Sequence, residues 1–266
     1  MWWEVNTESC NTSVLNAMRR NTFEKIKRYI HCRDNTHLPD NDKFARVRPY
    51  FQKLNEKCRQ YGYYPEQISI DESMIPYFCK HGVKQFLKGK PIRYGYKMWC
   101  MCEPSGYLLQ FEPYQGKTYT KSDLGVGGSV VMNLVNMLPA NTPFKIYGDR
   151  FFFSLKLVAA LTERGIGYTG TIKSNRIEKC PIISEKDMKK KERGYYDYCT
   201  DTNNNCTVTN WNDNRIVLLV SSCDSTFPVR PTNRWVSKEK KKLPVSQMLY
   251  YNIINLWEVL IEWTKI

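Results

Sequence analysis

Gln67-Ile68-Ser69-Ile70-Asp71 alternates apolar and polar side chains and ends on an acid, and Pro143-Phe144-Lys145-Ile146-Tyr147-Gly148-Asp149 is a second short run of the same design. A period of two is the signature of a strand with one buried face. Between these runs, Arg93 to Glu103 and Gly106 to Tyr114 are aromatic and apolar, joined by the hairpin signal Glu103-Pro104-Ser105-Gly106. Ser129 to Leu138 has helical spacing through Val130, Val131, Leu134, Val135 and Leu138. Beyond Asp149 a helix is expected from about Phe152, with Leu155, Val158 and Leu161 on one face and Arg164-Gly165 closing it. Ile166 to Ile172 again reads as a strand.

Strands that meander first and then alternate with helices predict an α/β mixed sheet with helices packed on it. An acid ending the first strand and another ending the fourth is the arrangement of ribonuclease-H-like nucleases, in which those two strands are neighbours. Such a pair suits metal binding, because phosphodiester cleavage benefits from two hard cations about 3.5–4 Å apart. Mg2+ prefers oxygen ligands of this kind. On composition alone, Asp71 and Asp149 also read as strand-end turn residues, since aspartate is common in turns.

Around this core the texture changes. Residues 1–62 read as helical: Val14, Leu15 and Met18 repeat at helical spacing, and Asn21 with Glu24 resembles a capping box. Phe23, Ile26, Tyr29 and Ile30 then line one face, and Phe44, Val47, Phe51, Leu54 and Cys58 form a further helix in which Pro49 marks a kink or a start. Residues 63–175 hold the catalytic-type sheet. Residues 176–243 are polar and lysine-rich, with one clear strand at Arg215 to Ser222, and read as an inserted subdomain. The tail, 244–266, reads as a truncated or degenerate return to the catalytic domain, with Met248 to Ile266 expected to come back to the sheet as a helix.

The chain carries 40 Lys and Arg against 26 Asp and Glu in 266 residues, a surplus of +14 that suits a polyanionic partner. Its basic residues gather from Lys80 through Lys84, Lys88, Lys90 and Arg93 to Lys97, and again at Lys186 to Arg193 and Lys238 to Lys242. Together these runs point to nucleic acid. With 42% hydrophobic and 14% aromatic residues, the chain lacks the composition of a disordered protein. No stretch approaches the ~20 apolar residues of a membrane span, and Met1-Trp2-Trp3-Glu4 does not open a signal peptide. A cytosolic or nuclear protein is expected. The ten cysteines form no C-x-x-C pair, and there are three histidines, so free thiols and no zinc site are expected. His31-Cys32 with His37 is the nearest approach to a ligand cluster.

Longer blocks carry a resemblance. Ile68-Ser69-Ile70-Asp71-Glu72-Ser73-Met74-Ile75, Gly89-Lys90-Pro91-Ile92-Arg93-Tyr94-Gly95-Tyr96-Lys97-Met98-Trp99 and Asp149-Arg150-Phe151-Phe152-Phe153-Ser154-Leu155 are similar to segments of the piggyBac transposases and their domesticated derivatives. Gly170-Thr171-Ile172-Lys173-Ser174-Asn175-Arg176, Arg193-Gly194-Tyr195-Tyr196-Asp197-Tyr198 and Arg234-Trp235-Val236-Ser237 continue the similarity, which covers about residues 1 to 245 in order. Many ordered blocks are far more specific than one short motif. The resemblance implies a ribonuclease-H-like domain interrupted by an insertion and flanked by a helical DNA-binding and dimerisation region. It further implies a nuclear protein that uses three aspartates with Mg2+ or Mn2+ to cut transposon ends and join them at TTAA targets. By motif, Asp71 is the first acid and Asp149 the second. DNA is the implied partner, through Lys80, Lys84, Lys88, Lys90, Arg93 and Lys97, with homodimerisation and no membrane.

The third acid departs from the pattern. The family places it in a segment like Tyr-Asn-x-x-Met-Gly-Gly-Val-Asp, whereas Tyr251-Asn252 is followed here by Ile253-Ile254-Asn255-Leu256-Trp257-Glu258-Val259, leaving Val259 in the aspartate's place. Glu258 and Glu262 are substitutes only in a shifted register; they also read as polar residues of an amphipathic tail. Arg150 stands where the family usually has asparagine, and Cys79 where it usually has glycine. The helices that follow the third acid and the Cys/His-rich zinc module are expected to be absent. The expected function is a DNA-binding, piggyBac-derived relic with impaired or lost cleavage. An active transposase is the alternative, and a non-functional fragment or protein-interaction module a third.

Overall fold

A computed structural model describes residues 3, 11–116, 123–177, 180–203, 205–226, 230–236 and 241–247. The chain divides into two compact units, Met1–Leu54 and Asn55–Ile266.

The first unit contains α1 (Thr12–Ala17), α2 (Arg20–Tyr29) and the first half of α3 (Arg48–Tyr61). Asn11 caps α1, its side-chain oxygen accepting from the Val14 N–H at 3.1 Å. The capping box expected at Asn21 and Glu24 does not form. The helix begins one residue earlier, behind Arg19, which makes no side-chain cap, so Asn21 already lies in the first turn. The apolar stripe of α2 exists, but Phe23, Ile26 and Tyr29 are exposed along it. Pro49 is the second residue of α3, where the missing N–H leaves no helical bond unmade.

The second unit is built on a nine-stranded sheet. β1 (Gln67–Pro76) pairs antiparallel with β3 (Tyr94–Cys102), which also pairs with β4 (Leu108–Pro113) and, at its start, with the short β2 (Gln85–Phe86). On the other side of β1 lie β5 (Lys145–Gly148) and then β6 (Gly167–Thr171), both parallel to it in direction. The spatial order β4-β3-β1-β5-β6 is the ribonuclease-H-like arrangement expected from the sequence. α4 (Gly125–Val135) and α5 (Leu155–Thr162) bury Val130, Val131, Leu134, Leu157, Val158 and Leu161 with Ile68, Ile70 and Ile146 of the sheet. Gly127 permits the close seat of α4, since a Cβ there would meet the Phe151 carbonyl oxygen at 2.3 Å.

The sheet does not stop at β6. β9 (Ile216–Ser221) pairs antiparallel with β6, followed by β8 (Cys206–Asn212) and β7 (Tyr196–Asp201) at the far edge. β10 (Arg230–Val236) and β11 (Lys241–Gln247) form a separate antiparallel pair. Only β9 is evident in the sequence pattern. β7 is an edge strand of intermediate and exposed residues, so it lacks an apolar period. β8 buries polar Thr209, Asn210 and Asn212, which masks its strand character. Asn210 donates to the Ile183 carbonyl at 3.0 Å and Asn212 to the Lys191 carbonyl at 2.8 Å, so their amide nitrogens are satisfied by the segment before β7, while the Asn210 amide oxygen is buried without a partner among the described residues. α6 (Glu185–Met188), capped by Ser184, lies in that segment.

Candidate functional site

The parallel pairing of β1 with β5 ends at Ile70 opposite Gly148. Asp71 and Asp149 come next: Asp149 leaves β5, whereas β1 runs on to Pro76 paired with β3, so Asp71 lies within β1 beside the point where β5 ends rather than at the strand end that the sequence pattern predicts. Asp149 is fixed by a turn: its carboxylate accepts from the Phe151 N–H at 2.7 Å, and its carbonyl accepts from the Phe152 N–H at 3.1 Å. Glu72 joins them. One carboxylate oxygen each from Asp71, Glu72 and Asp149 lie within 4.8 Å of one another, and among the described residues this is the one such group of metal-capable side chains. His31 and His37 instead engage local oxygens, on Tyr29 and Thr36.

Burial dominates the electrostatics of this group. Desolvation raises Asp71 well above the usual carboxylate range, and the Glu72 carboxylate adds to the rise. Asp149 is raised for the same first reason, with the Phe151 N–H opposing. Behind it, the Tyr168 hydroxyl is fully buried without a hydrogen-bond partner, and a Cβ on Gly148 would lie 2.5 Å from it. Burial raises its pKa too, and Asp149 contributes. Three hard oxygen donors gathered at one point fit Mg2+ or Mn2+ chemistry and do not fit a soft metal.

Basic and aromatic side chains surround the acids. Lys90 Nζ lies 3.5 Å from a Glu72 oxygen. In the β1–β3 register, Glu72 faces Trp99 and Met74 faces Lys97, which makes Glu72 and Lys97 diagonal neighbours on one face. Lys97 Nζ sits 4.1 Å from the Trp99 ring centre and 5.0 Å from that of Phe151, and the two rings stack at 5.2 Å. Arg150 is exposed, and its charge favours the ionised form of Asp149.

The six basic residues singled out in the sequence therefore separate. Lys80, Lys88 and Arg93 are exposed. Lys84 is half-buried; it donates to the Phe78 carbonyl at 3.3 Å and lies 5.8 Å from the Tyr94 ring centre. Lys90 belongs to Glu72, and Lys97 to the aromatic slot. Phe78, at 84% exposure, and the contacting pair Phe86 and Tyr94 add open aromatic faces among these cations. Glu258 and Glu262 lie outside the described residues. Glu72 is the site residue that the sequence reading missed. Successive residues of a strand project to opposite faces, so Glu72 reads as pointing away from Asp71. The Asp71-Glu72 doublet is the available signal.

The family model described as Transposase IS4 matches residues 1–253. The human PiggyBac transposable element-derived protein 3 is 40% identical over 259 residues, covering 96% of this chain and 44% of that protein. The chain belongs to the piggyBac transposase family. Human PiggyBac transposable element-derived protein 2 is 39% identical over 251 residues, covering 93% of this chain and 42% of that protein. The chain thus spans less than half the length of these curated relatives. A piggyBac transposase synaptic complex with hairpin DNA, solved by cryo-EM, superposes with a TM-score of 0.73 at 23% identity, over 94% of this chain and 52% of that one. The piggyBac fold is therefore shared, including the ribonuclease-H-like sheet. No described helix is long and apolar enough to cross a membrane.

Proposed function

We propose that this piggyBac-family chain is a nuclear DNA-binding protein whose Asp71, Glu72 and Asp149 hold a divalent cation, with cleavage and strand transfer impaired. The observation that carries this reading is the convergence of the three carboxylates where β5 ends beside the middle of β1. A bound Mg2+ or Mn2+ would supply Lewis-acid polarisation at a phosphate oxygen and activation of an attacking one. The chain's own residues do the rest. Lys80, Lys88 and Arg93 offer exposed positive charge to the DNA backbone, and Lys84 and Lys90 extend that surface toward the acids. Phosphate contacts of this type fix the position of a duplex without reading its sequence.

Impairment follows from the third acid. Val259 occupies its place in the motif, and catalytic groups must be held within about 0.5 Å of productive geometry. One observation favours a second reading, an active transposase cutting transposon ends: Glu72 brings a third carboxylate to the pair from within β1 itself. In both readings residues 1–62 form a partial DNA-binding and dimerisation region that supports a homodimer, residues 176–243 an insertion, and residues 244–266 a degenerate return to the catalytic domain.

The test is binding and cleavage of a duplex bearing a piggyBac-type transposon end, with Mg2+ or Mn2+, by the full chain and by Asp71→Ala. Salt-sensitive binding without nicking is the expected result. Metal-dependent nicking that disappears in Asp71→Ala would establish the second reading. Absence of any salt-sensitive binding would overturn both and leave a protein-interaction role.

A further inference from the structure

Lys97 differs in kind from the other cations around the site. It lies in the middle of β3, half-buried, with its ammonium over two stacked aromatic faces at 4.1 and 5.0 Å. An ammonium on an aromatic face keeps its charge while losing water, and the attraction strengthens with desolvation. The strand register sets it diagonally beside Glu72 on the same face. Yet among the described residues it makes no ion pair and donates no side-chain hydrogen bond, in contrast to Lys90, which pairs with Glu72. Burial pulls the Lys97 pKa below its ordinary value, and the Glu72, Asp149 and Asp71 carboxylates, in that order, oppose the fall, so the amine and the three acids sense one another.

A half-buried ammonium with unfilled donors, an arm's length from three carboxylates, is arranged to receive an anion that arrives with its own cation. We propose that Lys97 is the phosphate anchor of the site, donating to a non-bridging oxygen of the phosphodiester that the acids and their cation engage. This rests on the cation-site reading above. Trp99 and Phe151 act as positioning residues, holding the ammonium at fixed height while its hydrogens remain available. Before DNA arrives, the same positive charge stands in for part of the missing cation charge and so competes with metal binding.

Two measurements that do not depend on cleavage test this. Binding of Mn2+ to the DNA-free chain is titrated for wild type, Lys97→Met, Lys97→Arg and Asp71→Asn. Lys97→Met is expected to bind Mn2+ about tenfold tighter, Lys97→Arg like wild type, and Asp71→Asn at least about tenfold weaker, by the signs of the charges. The second measurement uses the unmodified chain, and so stands even if Lys97→Met folds poorly. Lysine acetylation is mapped with and without a short transposon-end duplex, in Ca2+ to hold the site without turnover. Lys97 is expected to lose reactivity several-fold only when duplex and Ca2+ are both present. Lys88 is expected to lose it with duplex alone. Unchanged Mn2+ affinity in a folded Lys97→Met, or Lys97 equally reactive in every condition, would overturn the anchor while leaving the cation site standing. If wild type and Asp71→Asn are alike in Mn2+ titration, the cation-site reading fails and takes the anchor with it.

Discussion

Asn55 and Phe111 hold each other through both ends of one amide: the Asn55 side-chain nitrogen donates to the Phe111 carbonyl at 2.9 Å, and its oxygen accepts from the Phe111 N–H at 3.0 Å. This buried clasp satisfies both backbone groups of an outer strand, β4, with the side chain of α3. Removing it leaves a donor and an acceptor buried without partners, and an unsatisfied buried group costs ~1–3 kcal/mol. Asn55→Ala is therefore expected to lower unfolding free energy by about 2 kcal/mol or more in urea titration. A loss below about 0.5 kcal/mol would mean that water replaces the amide.

Gly95 lies against β1 where β3 begins to pair with it. A Cβ there would sit 1.9 Å from the Ile75 carbonyl oxygen, a backbone atom that cannot move aside without parting the strands. Gly95→Ala is expected to cost more than about 2 kcal/mol and to weaken Mn2+ binding as well, since β1 and β3 carry Glu72 and Lys97. Thermal melting and Mn2+ titration of the same sample check both expectations. Wild-type melting would mean that the strands separate locally at no cost.

Asp71 predicts a conflict between stability and function. Its pKa in the folded chain is raised above the ordinary 3.8, chiefly by burial. Below that ordinary value the carboxyl is protonated in both states and costs nothing. As pH climbs past it, the unfolded chain releases the proton first, so the metal-free fold loses stability until the folded carboxyl ionises too. Asp71→Asn should remove this slope and raise stability at neutral pH by at least about 1 kcal/mol, roughly 2–4 °C in melting temperature for a unit of this size. Cation binding should strengthen with pH through the same interval in wild type. A metal-free Asp71→Asn that melts below wild type at pH 7 would contradict the assignment.

Phosphate binding should appear in the salt dependence. Each phosphate neutralised adds about 0.9 to the slope of log affinity against log salt. Replacing Lys84, Lys88, Lys90 and Arg93 together by alanine is expected to flatten that slope by roughly 2–4, measured by fluorescence anisotropy across a salt series. An unchanged slope would move the DNA surface away from β2 and β3.

What the sequence discloses of this fold depends on how each strand is buried. β1, β3, β5 and β6 put apolar side chains into a core covered by helices, so Ile68, Ile70, Trp99, Met101, Ile146 and Tyr168 announce them. β7 has an open edge and β8 packs buried amides, and neither condition selects an apolar alternation. The same distinction runs through the site. Asp71 lies within the legible β1, and Asp149 directly follows the legible β5. Glu72 converges on them from the position where alternation assigns the opposite face, so the strand's period does not announce it. For α2, periodicity locates the helix but says nothing of what covers Phe23 and Ile26, both exposed here.

The register that joins Gln67–Ile70 to Lys145–Gly148 has a consequence for how the molecule comes into being. The hairpin of β3 and β4 closes over a handful of residues, while β5 reaches β1 only after the whole of β2, β3, β4 and α4 has been laid between them. Contacts so distant along the chain form late, because the entropy of closing the intervening loop precedes any reward from pairing. Until then Asp71 and Glu72 have no Asp149 beside them. A nascent or partly folded chain therefore carries no cation site, and metal affinity marks the end of folding rather than the first collapse.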